Sequence, residues 1–209
     1  MEKYLFIGAH PDDIEFGAGA SIAKATQNRI QCHALVLSNC WESLPTKNSS
    51  PDTLIKESMN ALSILGLNLQ NVQFLDFPVR HFPEHRQSIL QELIDLSRSS
   101  HFTRVFIPSS FDMHQDHQVV STEATRAFKF TSLLGYELPW NNIQGNLRFC
   151  NVLDEVHVSK KKEAISSFTS QSNRFYSGTD SIEASLRFRG LEFGAKFAEA
   201  FEIIRWRDN

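Results

Sequence analysis

Short runs of consecutive hydrophobic residues alternate, along the first two thirds of the chain, with longer segments in which hydrophobic residues recur at helical spacing. The short runs predict buried strands, and the longer segments predict amphipathic helices. The predicted strands are 4–7, 32–37, 72–77 and 104–108, and the predicted helices are 18–27, 52–65, 86–97 and 122–134. This alternation favours an α/β fold with a mostly parallel sheet that is covered on both faces. In such a sheet a binding site lies at the carboxyl ends of the strands.

The last third of the chain is less regular. It predicts a turn-rich segment at 136–146, a strand at 152–158, helices at 160–168 and 182–196, and a final strand at 201–206. No repeat, low-complexity segment or linker separates this part from the rest. We therefore predict that residues 1–209 form a single domain.

Composition and charge exclude several classes of protein. A formal net charge of −3 argues against a nucleic-acid partner. The cysteines Cys32, Cys40 and Cys150 are odd in number and widely spaced, which argues against a disulfide framework or a cysteine-zinc cluster. No hydrophobic run reaches the roughly 18 residues of a membrane span, and the first residues lack the pattern of a signal peptide. The sequence predicts a cytoplasmic protein without a transmembrane segment.

A dense polar motif follows the first predicted strand. It runs from His10 to Glu15 (HPDDIE) and places one imidazole and three carboxylates in six positions. Burying such carboxylates is costly unless a cation or strong hydrogen bonds compensate, and zinc binds both imidazole nitrogen and carboxylate oxygen. The alternatives are an acidic turn that caps the next helix, or a nucleotide loop using Gly17 and Gly19. The second is disfavoured because the G-x-G-x-x-G spacing is absent.

A second polar motif, His114 to His117 (HQDH), follows the fourth predicted strand. Because parallel strands open at the same edge of a sheet, we expect the two motifs to meet there. His114 and His117 would point to one side at a helix start, and Asp116 could hold the ring of His114. A solvated loop is the alternative for this motif taken alone. The segment His81 to His85 (HFPEH) also pairs histidines, but Pro83 interrupts a helical face and the H-E-x-x-H order is absent.

Together the two motifs resemble those of the PIG-L/LmbE-like zinc deacetylase family, AHPDD-x-E and H-x-D-H. Weaker similarity extends through the chain, at Lys56-Glu57, Leu65-Gly66, Asp76 to Arg80, Ser170-Gln171, Arg189-Gly190 and Ala198 to Phe201. The resemblance implies a Rossmann-like three-layer fold. It also implies hydrolysis of N-acetylglucosaminyl groups on small thiol precursors, lipid-linked sugars or glycans.

The resemblance further implies a set of metal ligands. His10, Asp13 and His117 would hold Zn2+, with Fe2+ or Co2+ as other possible metals, and would leave a position for water. Asp12 would be the general base. The expected reaction releases acetate and a free amine from a small-molecule N-acetyl sugar or sugar conjugate.

Three further roles follow from the resemblance. His114, oriented by Asp116, would be a cationic or acid partner, and Arg80 would contact a sugar substituent. One departure is visible, because some members have a tyrosine where this chain has Asp112. The identity of an additional oxyanion donor therefore stays open.

Two other functions remain open from the sequence. One is a metal-dependent amidase or esterase acting on a non-sugar acyl group, and the other is an inactive sugar-binding module. Loops 40–50 and 136–146 are expected to wall the pocket. The aromatic residues considered for stacking on a sugar are Phe111, Tyr136, Trp140, Phe175 and Tyr176.

Overall fold

Seven strands form one sheet in the computed structural model, which describes residues 2–44, 50–142 and 144–208. The strands are β1 (Lys3–Gly8), β2 (Gln31–Val36), β3 (Val72–Phe74), β4 (Arg104–Pro108), β5 (Ser132–Tyr136), β6 (Leu147–Leu153) and β7 (Phe197–Arg205). Their order across the sheet is β3-β2-β1-β4-β5-β7-β6. The first five strands pair in parallel, and β7 pairs antiparallel with both β5 and β6. The predicted mostly parallel α/β sheet is confirmed.

Helices cover both faces of this sheet. They are α1 (Asp13–Gln27), α2 (Thr53–Ile64), α3 (Phe82–Ser99), α4 (Gln115–Ala127), α5 (Glu155–Ser166) and α6 (Thr179–Glu192). One hydrophobic core takes its helical residues from α1, α2, α5 and α6, and the other takes them from α3 and α4. The predicted three-layer arrangement is therefore confirmed. Among the described helices, none combines the length and the hydrophobicity that a membrane span requires.

The central strand β1 shows why the sheet needs both layers. Phe6 packs into the first core, whereas Leu5 and Ile7 pack into the second, and each of the three is at most 1% exposed. Successive side chains of a strand point to opposite faces, so an uninterrupted hydrophobic run predicts a strand that is buried on both sides. Gly8 ends this strand directly before the first polar motif.

Several predicted boundaries were wrong, and the reasons are clear in three cases. The predicted helix 122–134 combined the end of α4 with the start of β5, because the short run SLLGY cannot be distinguished from buried helix by periodicity alone. The predicted strand 152–158 lies too late, since β6 ends at Leu153 and α5 begins at Glu155. Helix α3 starts before the predicted residue 86, because Pro83 lies in its first turn, where no intrahelical N–H is needed.

Close packing between α1 and β5 predicts a specific cost for a methyl group at Gly17. A Cβ atom there would lie 2.1 Å from the ring of Tyr136. That ring is fully buried, and its hydroxyl donates to the carbonyl oxygen of Ile7 at 2.9 Å, so it has little freedom to move. We expect Gly17→Ala to lower the free energy of unfolding by about 1–3 kcal/mol in urea denaturation.

The matched control for this variant is Gly19→Ala in the same helix. Its Cβ would lie 3.4 Å from the nearest atom, in the side chain of Lys161, which is ordinary van der Waals contact. Because alanine has the higher helix propensity, Gly19→Ala should leave stability unchanged or raise it. Equal effects of the two substitutions would contradict the packing described here.

Candidate functional site

The two polar motifs meet at the carboxyl ends of β1 and β4, which are adjacent parallel strands. His10 follows the end of β1, and His117 lies in the first turn of α4, which begins seven residues after β4 ends. Nδ1 of His10 lies 3.1 Å from Nε2 of His117. The expected meeting of the motifs is thus what the structure shows.

Three side chains direct ligand atoms at one point. Oδ2 of Asp13 lies 3.5 Å from Nδ1 of His10 and 3.2 Å from Nε2 of His117. Ligands bound tetrahedrally to zinc at its usual distances lie about 3.4 Å from one another. The separations among His10, Asp13 and His117 therefore suit one small tetrahedral cation.

Two buried carboxylates hold the far sides of the imidazoles. Oδ2 of Asp116 lies 2.9 Å from Nε2 of His10, and Oδ2 of Asp112 lies 2.8 Å from Nδ1 of His117. Since a carboxylate accepts, each of these ring nitrogens carries a hydrogen, and the opposite nitrogen is the one that would bind a metal after losing its own proton. Asp112, which appeared in the sequence only as a departure from the family pattern, is thus part of the site.

The predicted pairing of Asp116 with His114 was wrong. His114 precedes the first residue of α4, and its Nδ1 accepts the backbone N–H of Asp116 at 3.2 Å. The carboxylate of Asp116 instead bonds His10 and accepts the backbone N–H groups of Arg80 at 2.6 Å and Phe82 at 3.3 Å. Sequence adjacency favoured His114, but the first turn of α4 directs the two side chains to different partners.

His114 was expected to be a cationic or acid partner, and the cationic form is not supported. Burial, together with the charges of His117 and His10, lowers the pKa of His114 to about 4. The ring is therefore neutral near pH 7, and because Nδ1 accepts a hydrogen bond, Nε2 carries the hydrogen. His114 lines the pocket as a neutral donor.

A wider ligand set is also present. One nitrogen from each of His10, His114 and His117 lies within 4.8 Å of the other two. The Asp13 alternative is more compact, at 3.1–3.5 Å, and it leaves the backbone bond of His114 intact. We therefore favour Asp13 over His114 as the third ligand.

The charges around the imidazoles favour a cation. Burial opposes a positive charge on His117, but attraction to Asp13 and hydrogen bonds to Asp112 and Asp13 outweigh it and raise the pKa of His117 to about 10. Burial likewise opposes ionisation of Asp13, yet His117 and His10 hold the pKa of Asp13 well below its usual range. The same negative field would stabilise a divalent ion bound between these groups.

Asp12 and Glu15, the other carboxylates of the first motif, have different surroundings. Asp12 lines the pocket with a left-handed backbone (φ 106°), a strained conformation that is frequent at functional sites. Burial and the charge of Asp13 raise the pKa of Asp12 to about 7, which suits a general base. Glu15 is buried against α2, where it accepts the hydroxyl of Ser58 at 2.7 Å, and burial raises its pKa to about 8.

A pocket of about 250 Å3 opens above these groups. Both predicted loops contribute to it, through Cys40 and Ser43 and through Trp140 and Asn141, while residues 45–49 and 143 lie outside the described part of the chain. Gln171, Arg174 and Tyr176 complete the wall; no motif had indicated Arg174.

Of the remaining residues considered from the sequence, some line the pocket, and others lie in the core or on the surface. Arg80 lies at the pocket rim with an exposed side chain and a left-handed backbone (φ 69°). Tyr136, one of the stacking candidates, lies in the core instead. His81 is exposed beside Glu84 at 3.7 Å, and the metal-ligand cluster found among the described residues does not include it.

Comparisons with known proteins agree with the motifs. The family model described as PIG-L, GlcNAc-PI de-N-acetylase, matches residues 5–128. The Escherichia coli K12 protein named "Uncharacterized deacetylase YaiS" is 36% identical over 142 residues, which are 65% of this chain and 73% of that protein.

Solved structures share the fold. The N,N'-diacetylchitobiose deacetylase of Pyrococcus horikoshii superposes with a TM-score of 0.83 at 18% identity, covering 97% of this chain and 84% of its own. The 4-carboxy-2-hydroxymuconate hydratase GalB of Pseudomonas putida KT2440 superposes at 0.78 with 20% identity, covering 100% and 98%. Since one fold serves a deacetylase and a hydratase, the fold alone does not decide the reaction.

The buried carboxylate of Asp112 predicts a measurable effect on metal affinity. Asp112→Asn keeps the size of the side chain but removes the charge that orients His117 and strengthens its ligand nitrogen. We expect the affinity for Zn2+ to fall about 10–100-fold, as for other outer partners of metal ligands. Competition with a chromophoric chelator measures the affinity of each variant for Zn2+.

His81→Ala is the control, because this histidine is exposed and lies outside the cluster. It should bind Zn2+ as the unmodified protein does. If Asp112→Asn also bound the ion unchanged, the role given to the Asp112–His117 pair would be refuted.

Proposed function

Because the chain belongs to the PIG-L (GlcNAc-PI de-N-acetylase) family, we propose that it is a zinc-dependent deacetylase that hydrolyses the N-acetyl group of an amino sugar or sugar conjugate. The products are acetate and a free amine. The observation that carries the proposal is the convergence of His10, Asp13 and His117 directly beside Asp12.

The donor set fits the proposed metal. Two imidazole nitrogens and one carboxylate oxygen are ligands that zinc accepts, and Fe2+ or Co2+ take the same donors. When bound, Zn2+ supplies a Lewis acid that activates water and polarises a carbonyl group. Asp112 and Asp116 hold His117 and His10 in the orientation that this binding needs.

Asp12 and His114 are the proposed catalytic side chains. Asp12 accepts the proton of the attacking water and returns it to the leaving nitrogen as the C–N bond breaks, since its carboxylate lines the pocket and its pKa is raised to about 7. His114 donates from Nε2 to the carbonyl oxygen, which gains negative charge as the tetrahedral intermediate forms. The carboxylate of Asp116 acts through the orientation of His10, whereas His114 receives only the backbone N–H of Asp116.

The pocket suits a small substrate. Its volume of about 250 Å3 accommodates little more than one sugar unit, so any larger substituent extends past the rim. We propose that Arg80 contacts such a substituent, because its side chain is exposed there.

The three free cysteines support the predicted cytoplasmic location, where disulfides are rare.

An acetate-release screen of the zinc-loaded protein tests the proposal. N-acetylated sugars and their conjugates should release acetate, while simple esters and N-acetylated non-sugar amines should not. Preference for those latter compounds would identify the amidase or esterase alternative. Sugar binding without acetate release would identify an inactive binding module.

Asp12→Asn separates catalysis from metal binding. The amide cannot take up the proton of water, so acetate release should fall at least about 100-fold. Metal content should not change, because the ligand atoms belong to His10, Asp13 and His117. Acetate release and elemental analysis measure the two effects on one sample.

The control is Asp52→Asn, which removes an exposed carboxylate at the start of α2. It should retain full activity. Retained turnover in Asp12→Asn would refute the assignment of the base, and loss of metal from that variant would place Asp12 among the ligands.

A further inference from the structure

A second concavity of about 600 Å3 lies beside the catalytic pocket, between α6 and the segment that follows β5. We call it the α6 groove. Its apolar lining residues include Phe16, Pro139, Phe175, Ile182 and Phe188. Phe175 and Phe188 are 84% and 57% exposed, which is unusual for two phenylalanines at the same concave surface.

The charged residues of the α6 groove already have partners. Arg189 donates two hydrogen bonds to Glu137, each of 2.6 Å. Lys161 is buried and lies 2.7 Å from the carboxylate of Glu199. Because these charges are neutralised within the protein, they favour an uncharged occupant over an ionic one.

The α6 groove and the catalytic pocket share one wall. Trp140 and Tyr176 line both, and their rings stack with centroids 3.9 Å apart. The ring of Phe16 packs edge-to-face against both rings, with centroid distances of 5.1 Å to Trp140 and 5.5 Å to Tyr176. Along the chain, Arg174 lines only the pocket, Phe175 only the groove and Tyr176 both. A molecule that leaves the pocket across this wall enters the groove.

We propose that the α6 groove binds an uncharged apolar group, alkyl or aryl, carried by the substrate next to its N-acetylated sugar. This inference rests on the proposed function for the position of the sugar. The catalytic pocket holds the amide to be cleaved, and the groove recognises the rest of the molecule. Phe175 and Phe188 are then specificity-determining residues.

The test compares methyl and hexyl glycosides of N-acetylglucosamine below the micelle concentration of the hexyl compound. Each methylene group that is buried strengthens binding by about threefold to fourfold. The kcat/KM for acetate release should therefore be at least about tenfold higher for the hexyl glycoside. Equal values for the two glycosides would overturn the inference while leaving the deacetylase proposal intact.

Phe188→Ser and Phe175→Ser should each lower the ratio of hexyl to methyl kcat/KM by about threefold or more. Both side chains are exposed, so neither change removes core packing. Leu191→Ser is the matched control, because Leu191 is 78% exposed on the same helix but does not line the groove. A ratio that falls equally in the control would show general surface adsorption and would overturn the inference.

A binding measurement makes the result independent of turnover. In calorimetry, hexyl glucoside, which lacks the acetamide, should bind more tightly than methyl glucoside, and Phe188→Ser should reduce this difference by about threefold or more. If no sugar releases acetate, the deacetylase proposal fails and this measurement alone decides whether the groove binds apolar groups. Sedimentation that showed a dimer dissociated by Phe188→Ser would assign the groove to a second copy of the chain and overturn the inference.

Discussion

Mutual attraction between two imidazoles and the carboxylates around them determines the structure of the site. Asp112 and Asp116 hold the outer ring nitrogens of His117 and His10, while Asp13 lies between the inner ones. Each of these acids is buried, so each needs a compensating positive charge or donated hydrogen bonds. The chain therefore brings together residues from two strand ends that repel in any arrangement lacking the imidazoles or a cation.

The topology of the sheet brings the two polar motifs close together. Strands β1 and β4 are neighbours and parallel, so the residues that follow them emerge at the same edge. The hydroxyl of Tyr136 in β5 also donates to the carbonyl oxygen of Ile7, close to the first motif. Dense packing of Gly17 against the Tyr136 ring fixes the start of α1 relative to β5. The ligand positions thus depend on contacts in the hydrophobic core.

The sequence predicted those parts of the site whose residues lie close together along the chain. The two motifs were recognisable because several metal-binding residue types fall within a few positions, directly after hydrophobic runs. The partner of Asp116 was not predictable in this way, since His10 is 106 residues distant and only the register of β1 and β4 brings it near. Strand β5 was misassigned because a short apolar run has no distinctive period. Arg174 lies in an irregular segment without any recognisable pattern.

The hydrogen bond from the backbone of Arg80 to Asp116 links two parts of the site that have separate tasks. The same carboxylate that holds His10 also holds the loop that carries Arg80 to the pocket rim. A change in the length of that loop would therefore disturb His10 as well as the rim. Evolution toward new substrates through this loop is consequently constrained. Substitutions on the solvent-facing side of α6 would not disturb His10 in this way.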